Sequence, residues 1–149
     1  MFSSSLMFGT REKPLAVVVA DDVGEICSLI NQWLTNLGCS VTSTATGNEV
    51  KKLMRSQHFD LIIADVLMPD GDGLEVILEA RQSQPSARVL AISGGGRHLQ
   101  AEDCLRFAKG LGAHGVLLKP FNREQLLTAI EKLAVGSRGA QLGDDDDDD

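Results

Sequence analysis

The sequence lacks an excess of basic residues. Its formal charge is −7, and six of its 21 acidic residues form the run Asp144–Asp149. Without that run, 15 acids stand against 14 bases, which leaves a net charge of −1. A nearly neutral chain has no basic stripe for a phosphate backbone, so direct nucleic-acid binding is not an expected function.

Long apolar runs and paired cysteines are also missing. No stretch approaches the roughly 20 apolar residues of a membrane span, and residues 1–14 lack the continuous apolar segment of a signal peptide. Cys27, Cys39 and Cys104 are odd in number and far apart, which argues against a disulfide framework or a metal cluster. A cytoplasmic location without membrane contact is therefore expected.

The chain does contain a regular alternation of strand-like and helix-like segments, with 43% apolar residues to build one core. Apolar runs predict five strands near 15–20, 40–44, 60–64, 87–92 and 115–118, each followed by apolar positions at helical spacing. Strands one, three and four are almost continuously apolar, as strands covered on both faces are. The half-polar second strand is expected at a sheet edge. Right-handed crossovers then predict a parallel α/β sheet with helices on both sides.

Helix starts are marked by a recurring pair, a short polar residue followed three positions later by Glu or Gln. This capping pattern satisfies backbone N–H groups that a helix start leaves unpaired. It occurs at Thr46 with Glu49, at Asp72 with Glu75, and at Asn122 with Gln125.

Polar side chains stand directly after four of the predicted strands. They are Asp21 and Asp22, Asp65, Ser93, and Lys119. Because all strand-to-helix loops of a parallel sheet lie at its carboxyl edge, these groups are expected to meet there. Three acids, a hydroxyl and a lysine in one place indicate phosphoryl transfer.

Three clustered carboxylates repel one another, by roughly 4 kcal/mol for each pair about 4 Å apart at an effective dielectric near 20. A hard cation such as Mg²⁺ relieves this repulsion. We expect Asp22 and Asp65 to be direct ligands and Asp21 to act through water, with the Leu67 backbone carbonyl completing the set. Asp65 could then be the nucleophile that forms an acyl phosphate.

The remaining groups have matching roles in this hypothesis. Lys119 would neutralise charge on the transferring group, and the Ser93 hydroxyl would bind the attached phosphoryl group. Each signal also has a simpler interpretation, since Asp21–Asp22 alone could cap a helix and Ser93–Gly96 could be only a turn. The hypothesis depends on their convergence at one edge.

The same stretches resemble the receiver domain of two-component response regulators. The resemblance covers 14–135 and is carried by Val18–Asp22, Asp65–Gly73, Ala91–Gly94 and Leu111–Phe121. It implies a flavodoxin-like (βα)5 fold, a doubly wound parallel sheet in the order 2-1-3-4-5. It also implies Mg²⁺-dependent phosphorylation of Asp65 by a histidine kinase or histidine phosphotransfer protein, and slow self-dephosphorylation.

Two further positions follow from the resemblance, and one departs from it. Gly94 matches the small residue that the family places beside the phosphoryl oxygens, and Lys119-Pro120 matches a typically cis peptide bond. Many receivers carry a Tyr or Phe three residues before the lysine, where this chain has Val116. The sequence contains no tyrosine and six aromatic residues in all. Phosphorylation is expected to survive this change, whereas the aromatic readout is not.

These patterns predict three regions: a flexible N-terminal segment at 1–13, a receiver domain at 14–135 and a disordered acidic tail at 136–149. Too few residues follow Val135 for an output domain, so a stand-alone receiver is expected. It would signal through contacts with an unidentified downstream protein or pass the phosphoryl group onward as a phosphorelay intermediate.

Two other classes of protein compete with this hypothesis. Aspartate-nucleophile phosphatases carry a second aspartate two residues after the nucleophile, where this chain has Leu67, so a free phosphatase site would lack its general acid. A degenerate receiver that binds partners without phosphorylation would not need the complete set of Asp21, Asp22, Asp65, Ser93 and Lys119.

Overall fold

A computed structural model describes residues 8–10, 12–68, 73–94 and 101–133. The strands are β1 (Ala16–Ala20), β2 (Ser40–Thr44), β3 (Leu61–Asp65), β4 (Arg88–Ser93) and β5 (Gly115–Leu118). The helices are α1 (Gly24–Thr35), α2 (Gly47–Ser56), α3 (Gly73–Ser83), α4 (Ala101–Gly110) and α5 (Arg123–Leu133). None of the helices in these segments is long and apolar enough to cross a membrane.

The strands form one parallel sheet in the order β2-β1-β3-β4-β5. The predicted fold is therefore confirmed, and so is the edge position of the half-polar β2. Val18 illustrates the register, since it pairs with Thr42 on one side and with Ile62 on the other. The strand order reverses between β1 and β3, and ligands of such sheets bind at the carboxyl ends flanking that point.

Alternation along the central strands divides the core between the two faces of the sheet. Val18, Ile62 and Val89 are fully buried against α2, α3 and α4. Their neighbours Val19 and Ile63 are fully buried on the opposite face, against α1 and α5. Each fully buried aliphatic side chain contributes roughly 1.5–3 kcal/mol. Burial on both faces is the reason these strands have no polar alternation.

Two of the three predicted capping patterns lie in described residues, and both are confirmed. The Thr46 hydroxyl accepts a hydrogen bond from the Glu49 N–H (3.1 Å). Asn122 and Gln125 bond reciprocally, each side-chain oxygen accepting the other residue's N–H (2.8 and 2.9 Å). Asp72 of the third pattern, Gly95 and Gly96 of the glycine-rich loop, and the acidic tail lie outside the described residues.

Residues ahead of β1 also pack on the core. Phe8 is fully buried on the α1–α5 side, and its carbonyl accepts a hydrogen bond from the Leu15 N–H (3.1 Å). Gly9 has a φ of 88°, and a Cβ there would lie 2.5 Å from backbone atoms of Lys13 and Leu15. The packed part of the chain therefore reaches back at least to Phe8, inside the segment 1–13 that is predicted to be flexible.

Candidate functional site

The carboxyl edge of the sheet brings the strand-end side chains together. Carboxylate oxygens of Asp21, Asp22 and Asp65 lie within 4.8 Å of one another. Asp21 and Asp65 are buried, while Asp22 is exposed. Lys119, which follows β5, reaches both buried carboxylates. The predicted convergence of acids and lysine at one edge is thus present in the fold.

The two carboxylate oxygens of Asp65 have different partners, one in the backbone of the following loop and one in the cluster. Its Oδ1 accepts a hydrogen bond from the Leu67 N–H (3.2 Å), which holds the loop that leaves β3. Its Oδ2 accepts one from Lys119 Nζ (3.3 Å). One oxygen is therefore anchored locally while the other faces the cluster. The contact of Leu67 is made through its N–H, and its carbonyl as a metal ligand stays a prediction.

Asp21 shows the same division. Its Oδ1 accepts a hydrogen bond from the Val23 N–H (2.9 Å) at the start of α1, while its Oδ2 lies 2.9 Å from Lys119 Nζ. That contact is an ion pair by distance, but among the described residues no donor is aligned to make a hydrogen bond to this buried oxygen. Val23 itself is the N-cap residue of α1 and makes no side-chain cap bond. A helix-capping role therefore explains the position of Asp21 Oδ1 but not that of Oδ2.

At this edge, burial and attraction to opposite charges have opposing effects on the pKa of Asp65 and on that of Lys119. Burial raises the pKa of Asp65 to about 6, although the Leu67 hydrogen bond and the positive charge of Lys119 both lower it. Burial lowers the pKa of Lys119, but attraction to Asp21 and Asp65 outweighs burial, and the net shift is upward. One lysine cannot neutralise three carboxylates, so like-charge repulsion remains between them, and the charge of Asp21 is one of the causes that raise the pKa of Asp65.

These features fit a hard divalent cation. Oxygen ligands from one or two carboxylates, with water and phosphate oxygens, are what Mg²⁺ prefers. The buried Asp21 Oδ2 is an oxygen without an aligned donor, and the exposed Asp22 leaves the cluster open on its outer side. The donor set is all oxygen, which also suits Ca²⁺. The cluster can therefore hold such an ion through Asp21, Asp22 and Asp65.

The remaining predicted residues lie around this cluster. Ser93 is fully buried at the end of β4, and its carbonyl accepts the Lys119 N–H (3.0 Å). A Cβ on Gly94 would lie 3.5 Å from Lys119 Cβ, so an alanine would fit there but little more. The Lys119-Pro120 peptide is cis. Val116 points outward from β5 with 37% of its surface exposed.

Two residues that support the site have no role assigned from the sequence, although Gly73 lies in the matching stretch Asp65–Gly73. A Cβ on Gly73, the first residue of α3, would overlap the backbone carbonyl of Asp65, so only glycine fits. Cys27 is buried one turn into α1, where its thiol donates to the Asp21 carbonyl (3.2 Å). Burial is the main cause that raises the pKa of this thiol, which therefore stays protonated and able to donate.

A model of the response regulator receiver domain family matches residues 17–131. The transcriptional regulator NtrC of Azospirillum brasilense is 31% identical over 116 residues, which cover 78% of this chain and 23% of that protein. The chain spans less than half the length of the curated relatives it matches.

Solved structures show the same likeness. A CheY-like receiver domain protein from Methanospirillum hungatei JF-1 is 27% identical, with a TM-score of 0.72, over 80% of this chain and 93% of that one. A Burkholderia pseudomallei response regulator, solved with a phosphorylated aspartic acid, a calcium ion and citrate, is also 27% identical. Its TM-score is 0.71, over 80% of this chain and 68% of that one.

Proposed function

The chain belongs to the response regulator receiver domain family, and we propose that it accepts a phosphoryl group on Asp65 in a Mg²⁺-dependent reaction. The donor would be the phosphohistidine of a histidine kinase or of a histidine phosphotransfer protein. The observation that carries the proposal is the cluster of Asp21, Asp22 and Asp65 with Lys119 bound to both buried carboxylates. A structural ion pair needs one lysine and one acid, not three acids at a strand edge.

The proposed step is a displacement at phosphorus. An Asp65 carboxylate oxygen forms a bond to phosphorus while the phosphorus–nitrogen bond of phosphohistidine breaks. The electron pair of that bond returns to the imidazole nitrogen, which takes up a proton. The product is an acyl phosphate, which water later hydrolyses slowly. Bound Mg²⁺ would offset negative charge between the carboxylates and the phosphoryl oxygens.

The neighbouring side chains position and compensate this group. Lys119 Nζ already faces Asp65 Oδ2 and would pair with a phosphoryl oxygen attached there. The Ser93 hydroxyl would bind another phosphoryl oxygen, and Gly94 would leave room beside it. Since a phosphoryl group shifts an equilibrium only through contacts that differ between two states, these new contacts would drive the conformational change.

The surface that would change and contact the downstream protein is proposed to lie on α4 and on the face of β5 around Val116. Val116 and Leu118 are 37% and 41% exposed on β5, and Phe107 is 60% exposed on α4. A valine has no ring to rotate, so the loop that begins at Gly94 would absorb the motion. The downstream protein is unidentified, and the cytoplasm remains the proposed location.

A phosphorelay intermediate is the second candidate, because the same acyl phosphate could pass to another histidine. An aspartate-nucleophile phosphatase is disfavoured by Leu67, which offers no general acid two residues after Asp65. In both signalling variants Asp65 is the acceptor, and they differ only in where the phosphoryl group goes next.

Labelling with a small acyl-phosphate donor and Mg²⁺ tests the proposal. The wild type should gain one hydroxylamine-labile phosphoryl group per chain, measured by intact mass. Asp65→Asn should gain none, while Asp70→Asn, five residues further along the sequence, should behave as the wild type. Full labelling of Asp65→Asn, or a requirement for Asp70 instead, would contradict the assignment.

A further inference from the structure

A patch of positive charge lies at the amino edge of the sheet, opposite the carboxylate cluster. Helices α3, α4 and α5 each carry one base in their last turn, namely Arg81, Lys109 and Lys132. Arg88 begins β4 at the same edge. We call these four residues the basic patch.

The fold brings the basic patch together around His114. Lys109, His114 and Lys132 line one cleft of about 560 Å³ between β5 and α5. Apart from burial, the charges of Arg88, Arg81 and Lys109 are what lower the pKa of His114 to about 4, so all three act on the same ring. A neutral imidazole thus lies near three of the four bases, and Lys132, the fourth, lines the same cleft.

Cations at helix C-termini are common because they complement the helix dipole. Arg81 also donates to the Pro85 carbonyl (3.4 Å), but the helix dipole does not account for the lack of carboxylate partners. Arg55, in the last turn of α2, pairs with Glu79 (3.7 Å). Among the described residues, no member of the basic patch has a carboxylate within salt-bridge distance. Glu124 lines the same cleft, but it is two turns of α5 from Lys132, about 12 Å along the axis.

The chain itself carries a complementary group. Helix α5 ends at Leu133, which also lines the cleft, and ten residues separate it from the acidic run Asp144–Asp149. A coil of ten residues spans about 16–19 Å. The acidic run therefore starts within reach of the basic patch, at an effective concentration on the order of millimolar.

We propose that Asp144–Asp149 binds the basic patch of the same chain. Six negative charges would meet four unpaired positive ones, in a chain whose remaining part is nearly neutral. The cleft continues along β5 past Val116 to Asn122, so the bound run would compete with any partner for that groove. The contact requires no phosphoryl group on Asp65, since the basic patch lies at the opposite edge of the sheet.

Exposed ion pairs are weak individually and are screened by salt, so the contact should be strong only at low ionic strength. The test compares backbone amide shifts of the full chain with those of a variant in which all six aspartates are asparagine. At about 20 mM salt, the amides around Lys109, His114 and Lys132 should differ between the two proteins. At about 0.5 M salt, where the screening length is about 4 Å, the difference should disappear.

Three controls keep the test decisive. Replacing the six aspartates by glutamate should preserve the wild-type shifts, because the charge is retained. Lys109→Gln with Lys132→Gln should reduce the effect of the acidic run, whereas Lys52→Gln, an exposed base on α2, should not. Shifts that change with protein concentration would show binding between copies and overturn the proposal. So would an asparagine variant that leaves the basic-patch amides unmoved at low salt.

Discussion

The polar side chains at the two edges of the sheet have different surroundings. At the amino edge, three of them accept backbone N–H groups near the start of a strand, and the second oxygen of Asp60 pairs with the exposed His58 (3.4 Å). Asp60 Oδ2 accepts the Ala16 N–H (2.9 Å), Gln84 Oε1 accepts the Phe59 N–H (2.8 Å), and His114 Nδ1 accepts the Val89 N–H (3.0 Å).

At the carboxyl edge, Asp21 and Asp65 each use one oxygen for the backbone, and both residues belong to a cluster of three carboxylates. Their other oxygens share Lys119, and Asp21 Oδ2 lacks an aligned donor among the described residues. Satisfied polar groups stabilise a fold, whereas crowded like charges cost stability and are retained where a ligand or reaction uses them. The difference indicates that the amino edge maintains the fold, and it supports the proposal that the carboxyl edge holds the reactive site.

Removing Gln84 should have the largest effect on stability. Its amide accepts the Phe59 N–H and donates to the carbonyls of Met54 (2.9 Å) and Gln57 (2.7 Å), while only 5% of the residue is exposed. Gln84→Ala should lower the free energy of unfolding by about 3 kcal/mol, because buried backbone groups lose their partners. Urea denaturation would measure the loss. Gln82→Ala, at an exposed position of α3, is the control, and an equal loss in both variants would contradict the role assigned to Gln84.

His114 should make stability depend on pH at the amino edge. Burial, then the charges of Arg88, Arg81 and Lys109, lower its pKa to about 4. The unfolded chain binds this proton near pH 6.5 and the folded chain does not, so stability is lost as pH falls from about 6.5 to 4. For a partly buried ring the loss should be about 2 kcal/mol, after allowance for screening.

The substitution His114→Asn isolates this effect, because it keeps an acceptor for the Val89 N–H without a titrating ring. Its free energy of unfolding should fall less than that of the wild type between pH 6.5 and 4. Parallel curves for the wild type and His114→Asn would refute the assignment.

At the carboxyl edge, Asp22→Ala should weaken Mg²⁺ binding by on the order of tenfold or more, equivalent to about 1.4 kcal/mol. The remaining carboxylates carry too little charge to hold the ion firmly. Calorimetric titration would measure the change. Replacing Asp144–Asp149 by asparagine should leave the affinity nearly intact, and a large drop there would move the cation site to the acidic run.

The smallest predicted effect is a gain in stability, in the variant Asp65→Asn, whereas Gln84→Ala and Asp22→Ala are expected to cause losses. Because burial raises the pKa of Asp65 to about 6, its contribution to stability is present below about pH 4 and is lost as pH rises through 6. In metal-free buffer at pH 8, Asp65→Asn should therefore be more stable than the wild type by on the order of 1 kcal/mol, with no difference at pH 4. Asp60→Asn, at the amino edge, keeps an acceptor for the Ala16 N–H and should show no such gain in stability. A destabilised Asp65→Asn at pH 8 would contradict this prediction, because it would mean that the ionised Asp65 carboxylate stabilises the fold.

Much of this organisation is readable from local patterns. Continuous apolar runs at 60–64 and 87–92 predict strands buried on both faces, and the pairs Thr46–Glu49 and Asn122–Gln125 predict helix starts. Polar residues directly after strands must lie at the carboxyl edge of any parallel sheet. Local sequence therefore determined the fold class, the edge at which the chemistry is placed, and the side chains available there.

Contacts between distant residues were decided only by the tertiary structure. Lys119 is 54 residues from Asp65, and nothing in either segment says that its ammonium meets Asp65 Oδ2 and Asp21 Oδ2 together. The same holds for Gln84 beneath β3 and for Phe8 in the core. Periodicity encodes which face of an element is buried, because burial repeats along the chain. It does not encode which atom of a distant side chain occupies a given position, because crossovers and strand register determine that.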